Sequence, residues 1–378
     1  MDAMTRDGIA ASESLIGDVA GGVRAALREA RFGLDAARYR LQQQALALSA
    51  FVGHRLWHLA LDPGAPRPSV DAIREIERRY AALLERDLEN VRRGCYPRDL
   101  LYQLPFFEYL GHVPEVLLDL PRILLRRYRG KFRDLPPWVD RKDYPKYYLR
   151  TFHWQTDGWL SERSARLYDA TVEFLFGGTA DVMRRMAIPP VVESVAGRRR
   201  PRILDIACGT GRFLRQLGAA LPRAKLYGLD LSPHYLKRAG QVLSGAADVS
   251  LAVENAEALP FADGFFDAAT SVFLFHELPA DARRNVAAEA WRVLKPGGRL
   301  VVCDSAQLSD SGEIADFLEA FHRSYHEPYY KGYLRDDLAT VLAEAGFEVE
   351  ESAPWLVSKV VVARKPGTAR MQAGRARQ

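Results

Sequence analysis

The chain has 378 residues, 48% of them hydrophobic and 27% charged, with a formal net charge of +5. This is ordinary for a globular protein of two domains or one enlarged core, and a mildly basic balance without a Lys/Arg stripe interleaved with stacking aromatics argues against a nucleic-acid partner. The three cysteines, Cys95, Cys208 and Cys303, lie far apart and make no Cys-x-x-Cys pair, so no disulfide framework is expected and a reducing cytoplasm fits best.

Residues 9–61 read as helix, rich in Ala and Leu with apolar residues three or four apart. No signal peptide is expected at the start. The longest apolar stretch, Ala45–Gly53, is far short of the roughly 20 residues a bilayer requires. His54 and His58 share a helix face, but Arg55 stands where a zinc protease needs Glu, so no metal is expected there. Prolines 63, 66 and 68 break the chain, Ser69 caps a second helix over Val70–Arg93, and Gly94 ends it. Prolines 97, 105, 114, 121, 136, 137 and 145 predict only short helices and loops over residues 95–150. Ten Lys/Arg against three Asp/Glu give Arg122–Arg150 a local charge of +7. Its segment 122–132 mixes basic and apolar residues and could rest on an anionic membrane, although a solvated packing helix is the favoured reading.

At Arg202 the pattern changes to short apolar strands alternating with helices, which implies a parallel sheet covered on both faces. Expected strands are Ile203–Ala207, Lys225–Asp230, Ser250–Val253, Phe266–Phe273 and Arg299–Asp304. Helices are expected at Phe213–Ala220, Tyr235–Ser244, Ala280–Leu294 and Arg335–Ala345. Phe347–Ala353 and Leu356–Ala363 are separated by so short a link that they must pair antiparallel.

The run Asp205-Ile206-Ala207-Cys208-Gly209-Thr210-Gly211 carries a strand into a glycine turn and then a helix. Two glycines let the backbone turn sharply and approach a ligand over the helix N-terminus. A dinucleotide fingerprint would place Gly or Ala where Leu214 stands, and the acid Asp205 would repel a pyrophosphate but tolerate a cationic ligand. Asp230, 25 residues after Asp205, ends the next strand and can accept hydrogen bonds from ribose hydroxyls. Asn255, beside Ala256, is a short polar group suited to an adenine edge. Arg292–Leu300, with Lys295-Pro296-Gly297-Gly298 at its centre, reads as a helix stop before a buried strand.

These four motifs, in this order over Arg202–Ala363, resemble the class I S-adenosylmethionine-dependent methyltransferases, and among them the ubiquinone/menaquinone-biosynthesis-type small-molecule enzymes. The resemblance implies a doubly wound, Rossmann-like α/β fold with a seven-stranded sheet and an antiparallel terminal hairpin. It implies S-adenosylmethionine as cofactor, S-adenosylhomocysteine as product and no metal. Asp205, Ala207, Gly209 and Gly211 would border the methionine half. Asp230 and Leu231 would border the ribose, Asn255 and Ala256 the adenine, and Phe273 the methyl-transfer cleft. His276 is the candidate base or substrate-orienting group. The aromatic stretches around His153 and Trp154, and around Tyr325, Tyr329 and Tyr330, are candidates for the acceptor site.

The expected organisation is a helical region 1–150 acting as substrate cap, bridging helices 151–200 that cover the cofactor, the cofactor-binding domain 201–365, and a disordered basic tail 366–378. The expected partner is a small, apolar or aromatic acceptor. The rival readings are a protein or RNA methyltransferase and a non-catalytic scaffold that keeps the fold. Against the first, Phe273-Leu274-Phe275-His276 stands where an Asn-Pro-Pro-Tyr tetrapeptide would be.

Overall fold

The computed structural model of the protein describes residues 29–50, 69–245 and 248–367. The remainder of the expected first helix, the proline break, His54, His58 and the tail from residue 368 onward lie outside the described residues. Seven strands form one sheet: β1 (Arg202–Ile206), β2 (Lys225–Asp230), β3 (Val249–Val253), β4 (Phe266–Val272), β5 (Leu294–Ser305), β6 (Glu348–Trp355) and β7 (Ser358–Arg364). Their spatial order is β3-β2-β1-β4-β5-β7-β6. The first five are parallel, and β7 runs antiparallel between β5 and β6, as the short link at Leu356 requires.

The strands are near-continuous apolar runs because helices cover both faces. Period-two alternation divides them. Ile203, Leu226, Val301 and Val362 face one core. Leu204, Ile206, Val302 and Val361 face the other. Six helical segments precede the sheet: α1 (residues 29–50), α2 (Val70–Arg92), α3 (Phe106–Arg129), α4 (Glu162–Leu175), α5 (Ala180–Arg185) and α6 (Ile188–Ser194). Leu83 and Leu88 of α2, Val182 and Met183 of α5 and Ile188 of α6 join the first core, together with α7 (Arg212–Ala220) and α8 (Pro233–Val242). The second core is closed by α9 (Ala280–Val293). Between β5 and β6 come α10 (Leu308–Ser311), α11 (Ala315–Tyr325), α12 (Tyr330–Tyr333) and α13 (Leu338–Glu344), the last also packing on that second face.

Local chemistry explains several boundaries. Ser69 accepts the N–H of Ala72 at 3.0 Å and starts α2 where expected. Asp337 does the same for Thr340 at 2.9 Å, so α13 begins at Leu338 rather than at Arg335. The dense prolines of 95–150 do not fragment the chain as expected. Pro114 and Pro121 both lie inside the 24-residue α3, which ends at left-handed Gly130. The helix absorbs both missing N–H donors because both rings lie on its exposed side.

Candidate functional site

The site grows from the carboxyl ends of β1 and β2. Register places Asp205 beside Gly228, and Asp230 ends β2 two residues later. After β1 the backbone enters a left-handed turn with φ of 59° at Ala207, 54° at Gly209 and 75° at Gly211. The Cys208 N–H donates to Leu229 O at 2.8 Å, and the Gly209 N–H donates to Asp230 Oδ2 at 3.0 Å. The turn is thus pinned to β2 and presents the N-terminus of α7 at the sheet edge.

Where a dinucleotide fold would use a glycine in the helix, the close approach here is made from the strand. A Cβ on Gly228 would lie 2.6 Å from Leu214 Cδ1 and 2.8 Å from Cys208 Sγ. Cys208 is buried and its thiol is pushed well above the usual range by burial, so it packs rather than reacts.

A cavity opens above this edge. Of the cofactor candidates, Asp205, Ala207, Gly209, Asp230, Leu231, Asn255, Ala256 and Phe273 all line it. Gly211 does not; its Cα packs against α8, where a Cβ would lie 3.1 Å from Ala239 Cβ. Asp205 accepts a hydrogen bond from Thr270 Oγ1 at 2.7 Å, yet burial still pushes its carboxyl up to about 7. Burial likewise raises Asp230 to about 6, against the N–H groups of Ser232 and Gly209 that favour its charge. Asn255 Oδ1 accepts the Glu257 N–H at 3.0 Å, which leaves its NH2 for the cavity.

The opposite wall comes from outside the β1–β7 region. Tyr147, Tyr148, Trp159 and Tyr168 line it, with Phe152 stacked on Trp159 at 4.1 Å. Tyr147 ties this layer to the core by donating to Glu257 Oε1 at 2.6 Å. At the α7 end, Arg184 and Arg212 also line the cavity, both held by the buried Asp181. Trp159 and the two arginines were not singled out from the sequence. Trp159 lay inside the aromatic stretch 147–160, whereas nothing local marks Arg184 or Arg212.

His276 is not on the cavity wall. It sits in the turn Phe275–Glu277 with its Nδ1 2.6 Å from Asp304 Oδ1. Burial opposes its charge, but Asp304 outweighs burial and raises the imidazole to about 10. The ring thereby braces the turn after β4 against the tip of β5. Asp304, at the tip of β5, also accepts the N–H groups of Leu274 and Phe275 at 3.0 and 2.7 Å. Its position at a strand end, like that of Asp205 and Asp230, was the available signal. The neighbouring Glu277 does line the cavity.

The acceptor candidates separate. His153, at φ 55°, places Nε2 3.0 Å from Glu277 Oε1 and Nδ1 3.1 Å from Glu327 Oε1. The Trp154 side chain lies outside the described residues. Tyr325, Tyr329 and Tyr330 do not line the cavity. Tyr325 packs on Phe321 at 4.6 Å, Tyr329 stands edge-on to Tyr147 at 6.4 Å, and Tyr330 is buried with its OH 2.7 Å from Ser305 Oγ. Tyr325 and Tyr330 pack on Phe321 of α11, while Tyr329 lies against Tyr147 and Phe152 of the aromatic layer.

The parallel sheet with its β5-β7-β6 reversal, the glycine turn and two acids at adjacent strand tips define a doubly wound α/β methyltransferase fold. A family model described as a methyltransferase domain matches residues 203–298. The demethylmenaquinone methyltransferase of Geobacillus kaustophilus is 32% identical over 195 residues, which cover 46% of this chain and 79% of that one. That of Deinococcus radiodurans is 39% identical over 139 residues, 36% of this chain and 55% of its own. The O-methyltransferase rstn1 of Aspergillus nomiae NRRL is 32% identical over 178 residues, 46% and 76% of the two chains. Among solved structures, the N-methyltransferase NodS of Bradyrhizobium japonicum WM9 with S-adenosyl-L-homocysteine covers 48% of this chain and 87% of its own at 20% identity, with a TM-score of 0.37. The chain belongs to the S-adenosylmethionine-dependent methyltransferases. It spans just over half the length of the first curated relatives it matches.

Proposed function

We propose that the protein transfers a methyl group from S-adenosylmethionine to a small, apolar or aromatic acceptor. The observation that carries this is the cavity itself: two carboxylates and a left-handed glycine turn on one wall, and a set of aromatic rings from outside the core on the other. The donor set fits an adenosine-bearing sulfonium. Asp230 would accept the ribose hydroxyls, Asn255 and Ala256 would border the adenine, and Asp205 would receive the ammonium. Arg184 and Arg212 stand where a carboxylate could be met.

The sulfonium supplies an activated methyl carbon. The protein's part is to align and to keep water out. Alignment contributes several kcal/mol, up to about 7–11 in ideal cases. Tyr148, Trp159 and Tyr168 line the cavity and would exclude water, and any ring whose face meets the sulfonium would attract it by about 0.5–2 kcal/mol.

A second layer of the proposal concerns delivery. On α3 the usual pattern is inverted. Glu115 and Asp119 face the protein, paired with Arg163 and Arg166. Leu110, Val113, Leu117, Leu118 and Leu125 face outward, at 44–78% exposure. Arg122 and Arg129 of α3 are exposed, as are Lys131, Arg133 and the 69%-exposed Trp138 in the segment that follows it. No described helix is long and apolar enough to cross a membrane. An apolar face rimmed by cations and an interfacial tryptophan suits an anionic lipid surface, and a lipid-like acceptor would be drawn from it.

Isothermal titration with S-adenosylhomocysteine tests the donor site. Incubation with labelled donor and a metabolite extract, read by mass spectrometry for a product gaining one methyl, tests the reaction. Absence of binding ends the proposal.

A further inference from the structure

Three parts of the chain distant in sequence bring His153, Glu277 and Glu327 together. His153 comes from the turn Phe152–Trp154, Glu277 from the turn after β4, and Glu327 from the link between α11 and α12. One donor atom from each lies within 4.8 Å of the other two. Glu327 is 1% and Glu277 6% exposed. Glu277 Oε2 and both Glu327 oxygens have no aligned hydrogen-bond donor. Among the described residues the salt-bridge partners of both acids are histidines alone: His153, and His276 Nε2 at 3.6 Å from Glu277 Oε1. Other buried acids are compensated locally: Asp205 accepts from Thr270 Oγ1, and Asp304 from two backbone N–H groups and the His276 ring. Asp181 meets two guanidinium groups, and Asp87 meets Arg185 at 2.5 Å. Two acids sit buried side by side with open lone pairs, and the nearby His276 ring is already engaged by Asp304, so a further cation would compensate them.

We infer that His153, Glu277 and Glu327 bind one first-row divalent cation. One imidazole nitrogen and two carboxylates suit Mn2+, Fe2+ or Zn2+, whereas Ca2+ would take six to eight oxygens. Donors sit about 2.0–2.2 Å from such an ion, hence roughly 3–4 Å from one another, so the glutamates, which face opposite ring nitrogens of His153, would turn toward a shared one. Three protein ligands leave coordination positions open, as in catalytic zinc sites. Glu277 also lines the cavity, so the site adjoins it. If the methyl-transfer proposal holds, the ion binds and acidifies an acceptor oxygen on that side. The cation site itself does not depend on that proposal.

The test uses the full chain, stripped of metal with a chelator and titrated with Mn2+, free Mn2+ being read by electron paramagnetic resonance. One Mn2+ per chain is expected, displaced by Zn2+, with nitrogen modulation from a single imidazole in the pulsed spectrum. His153→Ala and Glu327→Gln should each weaken binding at least tenfold while S-adenosylhomocysteine affinity is kept. No bound Mn2+ or Zn2+ at about 1 mM metal, no imidazole nitrogen in the spectrum, or unchanged binding by variants that still bind S-adenosylhomocysteine would each overturn the site and leave His153 as a hydrogen-bonded bridge between two acids. Failure of the donor reading looks different: Mn2+ is retained while S-adenosylhomocysteine does not bind.

Discussion

The sheet domain and the helical layer that precedes it are held by different forces. In the sheet, Leu204, Ile206, Val301 and Val302 are all fully buried, and adjacent strands satisfy each other's backbone groups. The preceding layer shares an apolar core with one sheet face, but its geometry is set by buried charge. Asp87 of α2 receives Arg185 from α5, the Tyr39 hydroxyl from α1 at 2.5 Å and the Tyr96 hydroxyl at 2.5 Å. Asp181 of α5 receives Arg184 at 2.8 Å and Arg212 of α7 at 2.5 Å, which fastens the layer to the glycine turn itself. Apolar packing tolerates small shifts, whereas a bidentate buried ion pair fixes position. The layer that completes the cavity is therefore registered to the cofactor wall by ions rather than by shape alone.

The largest effect should come from breaking that registration. Asp87→Ala leaves Arg185 buried without a counter-charge and should cost about 3–5 kcal/mol, read as a fall in the denaturation midpoint. Replacing both partners with apolar residues, Asp87→Leu with Arg185→Met, should recover most of the loss. If Asp87→Ala costs no more than an ordinary surface substitution, the contrast between the two regions is wrong.

Asp230→Ala should act on binding instead. Losing both ribose contacts should weaken S-adenosylhomocysteine by about 2–3 kcal/mol, roughly 30- to 150-fold by titration. Stability of the ligand-free protein should change little, because removing a buried carboxylate with a raised pKa offsets the loss of its bonds from the Gly209 and Ser232 N–H groups.

The pH dependence sharpens the same point. Folded-state pKa values of about 6 for Asp230 and about 7 for Asp205 lie above the usual aspartate value. Stability from these acids is fully present below about pH 4 and is lost as pH rises through those folded values. A ligand that accepts only the ionised forms binds better as pH rises. The thermal shift produced by S-adenosylhomocysteine should accordingly grow between pH 5 and pH 8, with affinity falling up to about tenfold per unit between about pH 7 and 6 and up to about a hundredfold per unit below that. A shift independent of pH would remove these acids from the cofactor wall.

The two regions also differ in how much of them the sequence reveals. β1, the glycine turn, Asp205, Asp230 and the terminal hairpin each depend on residues within a dozen positions, where period, glycine and strand-end acids act locally. The helical layer depends on pairs such as Asp87–Arg185, 98 residues apart, which no local pattern announces. Pro114 and Pro121 suggested breaks because the exposure of α3 was invisible. The pairing of His276 with Asp304, 28 residues on, is equally beyond local pattern. The adjacent Glu277 reaches the cavity only because a single helical turn after β4 rotates it there.

The smallest predicted effect isolates burial from charge. Arg40 and Glu85 join the same helices, α1 and α2, that Tyr39 and Asp87 join, and their guanidinium–carboxylate geometry is just as good, with two hydrogen bonds of 2.9 Å. Their side chains are 45% and 60% exposed, however, so water already solvates both charges when the pair is broken. Arg40→Ala should change stability by less than about 0.5 kcal/mol, and by less still in high salt. Equal chemistry one residue away from Tyr39 should thus yield a several-fold smaller loss than Asp87→Ala. A loss at Arg40 comparable with that at Asp87 would mean that the helical layer is held by ion-pair geometry in general, and that burying Asp87 adds nothing.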